Sequence, residues 1–133
     1  MAATTPDFPL AHHLGLTIER PDRGVAVGRL VTGDRHANPH GVVHGAVLFA
    51  LVDTAMGAAT YSVLDEGSIC ASIEVQLRFL APVHVGAALH GRVAVVRAGR
   101  RIVHLEARVD ADGTLVATAT GTYAVLPAPG ASR

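Results

Sequence analysis

Asp53 is the residue whose surroundings point most clearly to chemistry. It is the only residue of fixed charge in the apolar run from His44 to Leu64, which reads HGAVLFALVDTAMGAATYSVL. An ionised carboxylate among apolar side chains is strongly disfavoured unless it is paired or hydrated, and no Lys or Arg lies within one helical turn of it. Most helical aspartates reach solvent or cap a nearby group. A carboxylate in an apolar cleft is also typical of a general base or nucleophile, and we favour this interpretation.

A turn that contains glycine, Asn38-Pro-His-Gly-Val-Val-His44-Gly45-Ala46, stands directly before this run. If a helix begins there, its first N–H groups have no intrahelical acceptor and its positive dipole end faces outward. Such an end binds an anion or polarises a carbonyl, as an oxyanion hole does. The same residues also fit an ordinary helix start with Asn38 as the cap and Pro39 as the first helical residue. The sequence leaves both interpretations open.

Histidines recur every four residues at His36, His40 and His44, a spacing that can bind zinc on a helix. We expect no metal there, because Gly41 stands where the zinc-protease pattern requires Glu, and Pro39 and Gly41 disfavour a continuous helix through the three histidines. The sequence also contains no Walker loop, dinucleotide fingerprint or CxxC pair, so no cofactor is predicted.

A second candidate site is a cluster of three arginines, Arg97, Arg100 and Arg101, around a glycine between two predicted strands. Most basic hairpin tips are simply solvated. Forked guanidinium groups also hold phosphates, so these three residues are candidate substrate contacts.

The elements that must position these residues follow from the spacing of apolar side chains. A helix is predicted over 44–64, ended by Asp65-Glu66-Gly67, and it is expected to be buried nearly all round because its apolar residues are not confined to one stripe. A short helix is predicted over 7–15, with Asp7 as its cap, and 32–43 is expected to be mostly loop. The segments predicted as strands are 16–19, 25–31, 72–79, 84–97, 102–110 and 114–126.

Strict alternation in the third of these strands places Ser72 with Glu74 and Gln76, away from Ile73. One long helix and about six antiparallel strands predict an α+β fold in which a sheet wraps the helix. The edges of such a sheet are commonly covered by pairing with another subunit.

Composition limits the possible classes of protein. The chain has 133 residues, of which 50% are hydrophobic and 17% charged, which predicts one domain over 1–133 with an ordered core at about 7–126 and loose ends at 1–9 and 127–133. A net charge of zero argues against nucleic-acid or membrane-surface binding. Cys70 stands alone, so no internal disulfide is possible. Without a recognisable signal peptide or membrane-spanning stretch, a cytoplasmic protein is expected.

The pattern Asn38-x5-His44-Gly45-x7-Asp53, followed by a Ser-x-Glu strand and by Phe-Leu-Ala-Pro ending at Pro82, resembles the hotdog-fold acyl-CoA thioesterases. The resemblance is closest to the phenylacetate-degradation branch. It implies a long central helix wrapped by an antiparallel sheet, homodimers that join their sheets, and often homotetramers built as dimers of dimers. It also implies hydrolysis of an acyl-CoA with an aryl-acetyl, aromatic or medium-chain acyl group.

The same resemblance assigns roles to individual residues. Asp53 matches the catalytic carboxylate, acting as general base or nucleophile, and Gly45 the helix-start glycine whose N–H polarises the thioester carbonyl. Asn38 matches a polar residue that orients the reacting groups, and His44 the neighbouring histidine. Ser72 matches a hydroxyl that the partner subunit contributes to position water.

One residue departs from the family pattern, because Ala46 replaces the usual second glycine. Its methyl group either narrows the acyl pocket or only stiffens the helix. The alternative to an enzyme is a non-catalytic hotdog module that binds an acyl or aromatic ligand. The presence of Asp53 favours the enzyme.

Overall fold

A computed structural model describes residues 3–130 of the chain. Six strands form one antiparallel sheet in the order β1-β2-β4-β5-β6-β3, and a long helix packs on its inner face. This arrangement confirms the predicted α+β class and is the hotdog fold. The elements in chain order are α1 (Pro9–Leu14), β1 (Thr17–Asp22), β2 (Val25–Val31), a 3-10 turn (Asp34–His36), α2 (Gly45–Tyr61), β3 (Ser68–Phe79), β4 (Ala88–Ala98), β5 (Ile102–Ala111) and β6 (Thr114–Pro127).

The close approach of α2 to the sheet depends on two glycines. A Cβ on Gly28 would lie 2.7 Å from Leu51 Cδ1, and one on Gly121 would overlap the sulfur of Met56. Leu51 and Met56 are completely buried. Glycine at these two strand positions therefore gives Leu51 and Met56, two large buried side chains of the helix, the space they need against the sheet.

α2 is buried on one side only, so the expectation that it is buried nearly all round is wrong. Its other side is half-buried or exposed. That side consists mainly of small residues, many of them apolar, so the sequence pattern did not distinguish it from the buried side. Its half-buried residues include Ala50, Asp53, Thr54, Gly57 and Ala58. Among residues 3–130, no helix combines the length and apolarity needed to cross a membrane.

A β-bulge in β3 changes the orientation of the residues before it. The register to β6 shifts between Ser72 and Glu74, which leaves Ile73 as the extra residue. Cys70, before the bulge, and Leu77, after it, both pack against the core, although strict alternation would put them on opposite faces. Ser72 therefore shares the helix-facing side with Cys70. The predicted placement of Ser72 beside Glu74 is wrong.

The N-terminal segment is attached to the sheet, contrary to the expectation of a loose end. Thr4 and Ile18 exchange two backbone hydrogen bonds of 2.9 and 2.7 Å, and α1 is preceded by Phe8 rather than by an Asp7 cap. Gly15 ends α1 in a left-handed conformation. The outermost parts of the two predicted loose ends, residues 1–2 and 131–133, lie outside the described residues.

Candidate functional site

A pocket of ≈ 660 Å³ lies over the small-residue side of α2, bordered by β1, β3 and the N-terminal segment. We call it the Asp53 pocket. The helix residues that form its floor are Ala50, Asp53, Thr54, Gly57, Ala58 and Tyr61. The other residues that line it include Phe8, Leu10, Ile18, Arg20, Cys70, Ser72 and Tyr123. The fold thus brings Asp53 and Ser72, two of the predicted site residues, to one pocket.

The Asp53 carboxylate is held by the buried phenol of Tyr123. The phenol donates to Asp53 Oδ1, and its oxygen also lies 2.9 Å from the backbone oxygen of Asp53. Burial, together with the hydrogen bond and the negative charge of Asp53, raises the pKa of Tyr123 well above its ordinary value. Tyr123 therefore remains a protonated donor at neutral pH. It fixes one carboxylate oxygen, and the other has no donor among residues 3–130.

Sequence reasoning missed Tyr123, although a signal was present. It is the only aromatic residue in a strand otherwise built of small and aliphatic residues, TLVATATGTYAVLP. A tyrosine on the core face of a strand needs a partner for its hydroxyl, and a buried carboxylate needs a donor. Together, these two requirements predict a hydrogen bond between Tyr123 and Asp53.

Ser72 lies directly across the ladder from Tyr123. Paired residues of an antiparallel ladder project to the same face, so Ser72 faces the helix and lines the pocket of its own Asp53. Strict alternation would turn the Ser72 hydroxyl away from the core of its own chain, but this pairing turns it toward α2 of the same chain.

Cys70 lines the same pocket but is not poised as a nucleophile. Its backbone N–H lies 3.4 Å from the Tyr61 hydroxyl. Burial raises the pKa of the Cys70 thiol, a side-chain hydrogen bond between the thiol and Tyr61 opposes this, and the negative charge of Asp53 raises it further. Because the thiolate is the reactive form, a raised pKa keeps Cys70 weakly reactive at neutral pH.

The start of α2 is capped by His44 rather than by Asn38. His44 Nδ1 accepts a hydrogen bond of 2.9 Å from the Ala46 N–H, which requires the tautomer protonated on Nε2. Gly45 is the first helical residue, and its N–H has no acceptor among residues 3–130. The interpretation with Asn38 as cap and Pro39 as the first helical residue is therefore wrong.

Asn38 instead folds the loop before the helix. Its Oδ1 accepts hydrogen bonds from the backbone of His40 at 2.9 Å and of Val42 at 3.3 Å. The backbone N–H of Asn38 also donates to the Val42 oxygen at 2.7 Å. These bonds close a compact turn that fixes where His44 and α2 begin.

A second pocket of ≈ 520 Å³, which we call the Gly45 pocket, surrounds the helix start. A Cβ on Gly45 would lie 3.1 Å from Phe79 Cζ, so the aromatic ring closes one side of the glycine. Ala46 also lines this pocket, whereas Ala50 borders both pockets. The residues that form the Gly45 pocket are His44, Gly45, Ala46, Phe49, Ala50 and Phe79.

The two groups of predicted site residues do not meet within one chain. Gly45 and Asp53 are eight residues apart on α2, a separation of about 12 Å along the helix axis. An oxyanion donor must lie about 3 Å from the carbonyl oxygen, and the attacking atom about 3 Å from its carbon. One carbonyl group therefore cannot contact the Gly45 N–H and the Asp53 carboxylate of the same chain.

The candidate phosphate contacts lie outside the Asp53 pocket. Arg97 is near the end of β4, and Arg100 and Arg101 form the turn into β5; all three are exposed. Arg20 lines the pocket instead and has no salt bridge among residues 3–130. In the sequence it was indistinguishable from an ordinary hairpin-turn arginine.

The histidines spaced four residues apart do not converge. His36 is buried, where its Nδ1 accepts from the Gly33 N–H and its Nε2 lies 2.9 Å from the Leu14 oxygen. It joins the 3-10 turn to the end of α1. Within residues 3–130, no three His, Cys, Asp or Glu residues are grouped as metal ligands.

A family model described as the thioesterase superfamily matches residues 40–118, which contain Gly45, Asp53 and Ser72. The chain belongs to the thioesterase superfamily. Its relatives include a candidate esterase of Caenorhabditis elegans, 34% identical over 104 residues that cover 76% of this chain and 60% of that protein. The chain thus spans less than two thirds of that relative.

Solved structures of related proteins share the whole fold. A mutant of the phenylacetic acid degradation protein PaaI from Thermus thermophilus is 28% identical with a TM-score of 0.83, covering 90% of this chain and 100% of that one. The Escherichia coli PaaI protein from the phenylacetic acid degradation operon is 25% identical with a TM-score of 0.84, covering 92% and 87%. A conserved protein of Pseudomonas aeruginosa is 32% identical with a TM-score of 0.83, covering 88% and 93%.

Proposed function

We propose that this protein hydrolyses acyl-CoA thioesters to the free acid and CoA, in a site formed by two chains. The observation that carries the proposal is the Asp53 carboxylate, held by Tyr123 and open to an otherwise largely apolar pocket. Membership of the thioesterase superfamily supplies the reaction class. Asp53 is the catalytic residue.

Asp53 can act in either of two ways. As a general base it takes a proton from a water whose oxygen attacks the carbonyl carbon; as a nucleophile it attacks that carbon itself and forms an anhydride that water then opens. In both routes the C–S bond breaks, and CoA leaves as a thiolate that takes up a proton. Mass spectrometry of enzyme quenched during turnover separates the routes, because only the nucleophilic route leaves the acyl group attached to the Asp53 peptide.

The Gly45 N–H polarises the carbonyl from the other chain of a homodimer. Gly45 and Asp53 of one chain are too far apart to act on one thioester, and the positive dipole end of α2 carries the free Gly45 N–H. His44 fixes this N–H by capping the helix, and Asn38 fixes the loop before it. In this proposal Asn38 and His44 are positioning residues.

The exposed edge of β3 supports pairing between chains. Within residues 3–130, β3 pairs with β6 alone, and its other edge is unpaired along a strand of twelve residues. Ile73 is 57% exposed and Phe79 56% exposed on this strand. A long unpaired edge strand that exposes large apolar side chains is a template for pairing with a second copy. We propose that two chains join along β3 and that two such dimers form a tetramer.

The apolar lining of the Asp53 pocket suits an aryl-acetyl, aromatic or medium-chain acyl group. Phe8, Leu10 and Ile18 face the floor formed by α2. Two of the structural relatives are named for phenylacetic acid degradation, which agrees with an apolar acyl group.

Replacement of Asp53 by Asn tests the proposal. The amide keeps an oxygen that can accept from Tyr123 but cannot take a proton, so kcat should fall by about 10²- to 10⁴-fold while the thermal midpoint changes little. A coupled thiol-release assay over a panel of acyl-CoAs gives the measurement. Retained turnover within a few-fold of the native enzyme would exclude Asp53, and tight ligand binding without turnover by the native protein would favour the non-catalytic module.

A further inference from the structure

We propose that Gly57 determines which acyl groups the Asp53 pocket accepts, by leaving the path along α2 open for acyl chains of more than about four carbons. This inference rests on the proposed function and adds the residue that sets acyl length. It is carried by the position of Gly57, by the space at its missing side chain and by the absence of a structural need for glycine there.

Gly57 lies on the line that an acyl chain would follow. It is four residues after Asp53 on the same side of α2, and Tyr61 is four residues further; all three line the pocket. The helix rises about 1.5 Å per residue, so Tyr61, eight residues after Asp53, lies about 12 Å from it along the axis. With C–C bonds of about 1.5 Å in an extended zigzag, an acyl chain reaches Gly57 at about its fourth or fifth carbon.

The space above Gly57 is empty and accessible to a side chain. A Cβ at this position would meet no atom within 4 Å, unlike a Cβ on Gly28 or Gly121, which would clash with Leu51 or Met56. Gly57 has ordinary helical geometry, since it is absent from the positive-φ glycines. A larger side chain would therefore enter the pocket without straining the backbone.

Folding gives no reason for glycine at this position. Glycine inside a helix is less favourable than alanine, and neither backbone conformation nor packing requires it here. The pocket is also lined by Phe8, 38% exposed, and Leu10, 53% exposed. An apolar chain that extends through the pocket would cover more of this apolar lining than an acetyl or propionyl group could.

The test compares Gly57→Ala and Gly57→Leu across acetyl-, butyryl-, octanoyl-, decanoyl- and phenylacetyl-CoA. Gly57→Leu should lower kcat/KM about 10- to 100-fold for the octanoyl, decanoyl and phenylacetyl esters and leave the acetyl ester within about threefold, because a few carbon atoms of overlap cost this much in a pocket. Gly57→Ala should lower kcat/KM for the same three esters by a smaller factor and should raise the thermal midpoint. Gly33→Leu is the matched control, since its Cβ also enters open space but outside the pocket.

Binding of non-hydrolysable S-alkyl-CoA thioethers gives a readout that does not depend on turnover. Gly57→Leu should weaken S-octyl-CoA binding and spare S-ethyl-CoA. If Gly57→Leu leaves the ratio of kcat/KM for octanoyl-CoA to that for acetyl-CoA unchanged, or lowers kcat/KM equally for every ester, the role of Gly57 is overturned. The proposed thioesterase activity then still stands. If the native protein turns over no thioester, the proposed function fails, and the thioether series still decides whether Gly57 selects chain length.

Discussion

Tyr123 on β6 donates a hydrogen bond to the carboxylate of Asp53 on α2, across 70 residues of chain. Ser72 on β3 is the ladder partner of Tyr123, so three elements bring these side chains to one pocket. The carboxylate is thus oriented by its own chain. The helix start at Gly45 lies about 12 Å away along α2 and acts, in our proposal, on the carboxylate of a second chain.

Replacement of Tyr123 by Phe should lower kcat by about 10-fold and leave KM nearly unchanged, because the phenol acts through Asp53 and its loss frees the carboxylate to rotate. One lost hydrogen bond should also cost about 1 kcal/mol of stability. Steady-state kinetics and urea unfolding measure both effects. Adding Tyr123→Phe to Asp53→Asn should produce no further loss of kcat; a full additional loss would show that Tyr123 acts independently of Asp53.

The raised pKa of Tyr123 also predicts how stability depends on alkaline pH. An unfolded tyrosine loses its proton near pH 10, before the buried Tyr123 does, so the unfolded state binds fewer protons above that pH. The contribution to stability is complete below pH 10 and is lost as the pH rises above it, by at most about 1.4 kcal/mol per pH unit. Urea unfolding between pH 8 and 11 should show this loss. Tyr123→Phe should make the curve shallower, with the raised pKa of Cys70 contributing the remaining fall, and Tyr61→Phe should leave it steeper. Equal slopes in both variants would contradict the assignment.

Most of the fold could be predicted because its strands and helices have clear apolar patterns. β2 coincides with the predicted strand, and between β5 and β6 both Asp112 and Gly113 have positive φ, as a tight hairpin turn requires. β4 begins at Ala88 instead of His84, because residues 84–87 form a turn in which the Ala87 N–H donates to the His84 oxygen. Alternation of side chains alone gives no signal for that turn.

The candidate site was only partly predictable, because its geometry depends on details that periodicity does not record. Asp53 stood out as an isolated charge, and Gly45 as a glycine before an apolar run. The bulge at Ile73 reverses the orientation of Ser72, and one extra residue in a strand leaves no mark in a sequence that still alternates. Tyr123 lies too far along the chain for spacing to connect it with Asp53.

Cys70 should be dispensable for catalysis although it lines the Asp53 pocket. Its pKa is raised mainly by burial, so the thiol stays protonated at neutral pH and is a weak nucleophile. Cys70→Ser should keep kcat within about threefold, and iodoacetamide should react slowly at pH 7 and faster above pH 9. Mass spectrometry follows the alkylation. An acyl group trapped on Cys70 during turnover would contradict this prediction.

The arginines of the β4–β5 turn should bind the phosphates of CoA without contacting the acyl group. Replacing Arg97, Arg100 and Arg101 by Ala should raise KM for octanoyl-CoA by about 10-fold and leave kcat unchanged, because such contacts are equal in the ground and transition states. High salt should reduce the difference. The octanoyl ester of N-acetylcysteamine lacks phosphates and is the control substrate. If the KM for this control substrate rises equally, or if Arg20→Ala alone raises the KM for octanoyl-CoA as much, the three arginines do not bind the CoA phosphates and are simply solvated.

The two-chain site predicts which inactive variants restore each other. Gly45→Pro removes the N–H but suits the first position of a helix, and His44 with ψ 136° tolerates a following proline. When the Gly45→Pro and Asp53→Ala proteins are mixed, they should form heterodimers. One site of each heterodimer then has an intact Gly45 from one chain and an intact Asp53 from the other. Gly45→Ala is the control, because it keeps the N–H and places the same Cβ near Phe79.

Refolding the Gly45→Pro and Asp53→Ala proteins together should restore about a quarter of native activity, since half of the random dimers are mixed and each has one intact site of two. Asp53→Ala mixed with Ser72→Ala should restore none, because both residues line the pocket of one chain and every site then lacks one of them. Activity in the second mixture would show that Ser72 serves the Asp53 of its partner, as the family resemblance implies. Failure of the first mixture, with subunit exchange demonstrated by mass spectrometry, would show that Gly45 and Asp53 do not act on one thioester.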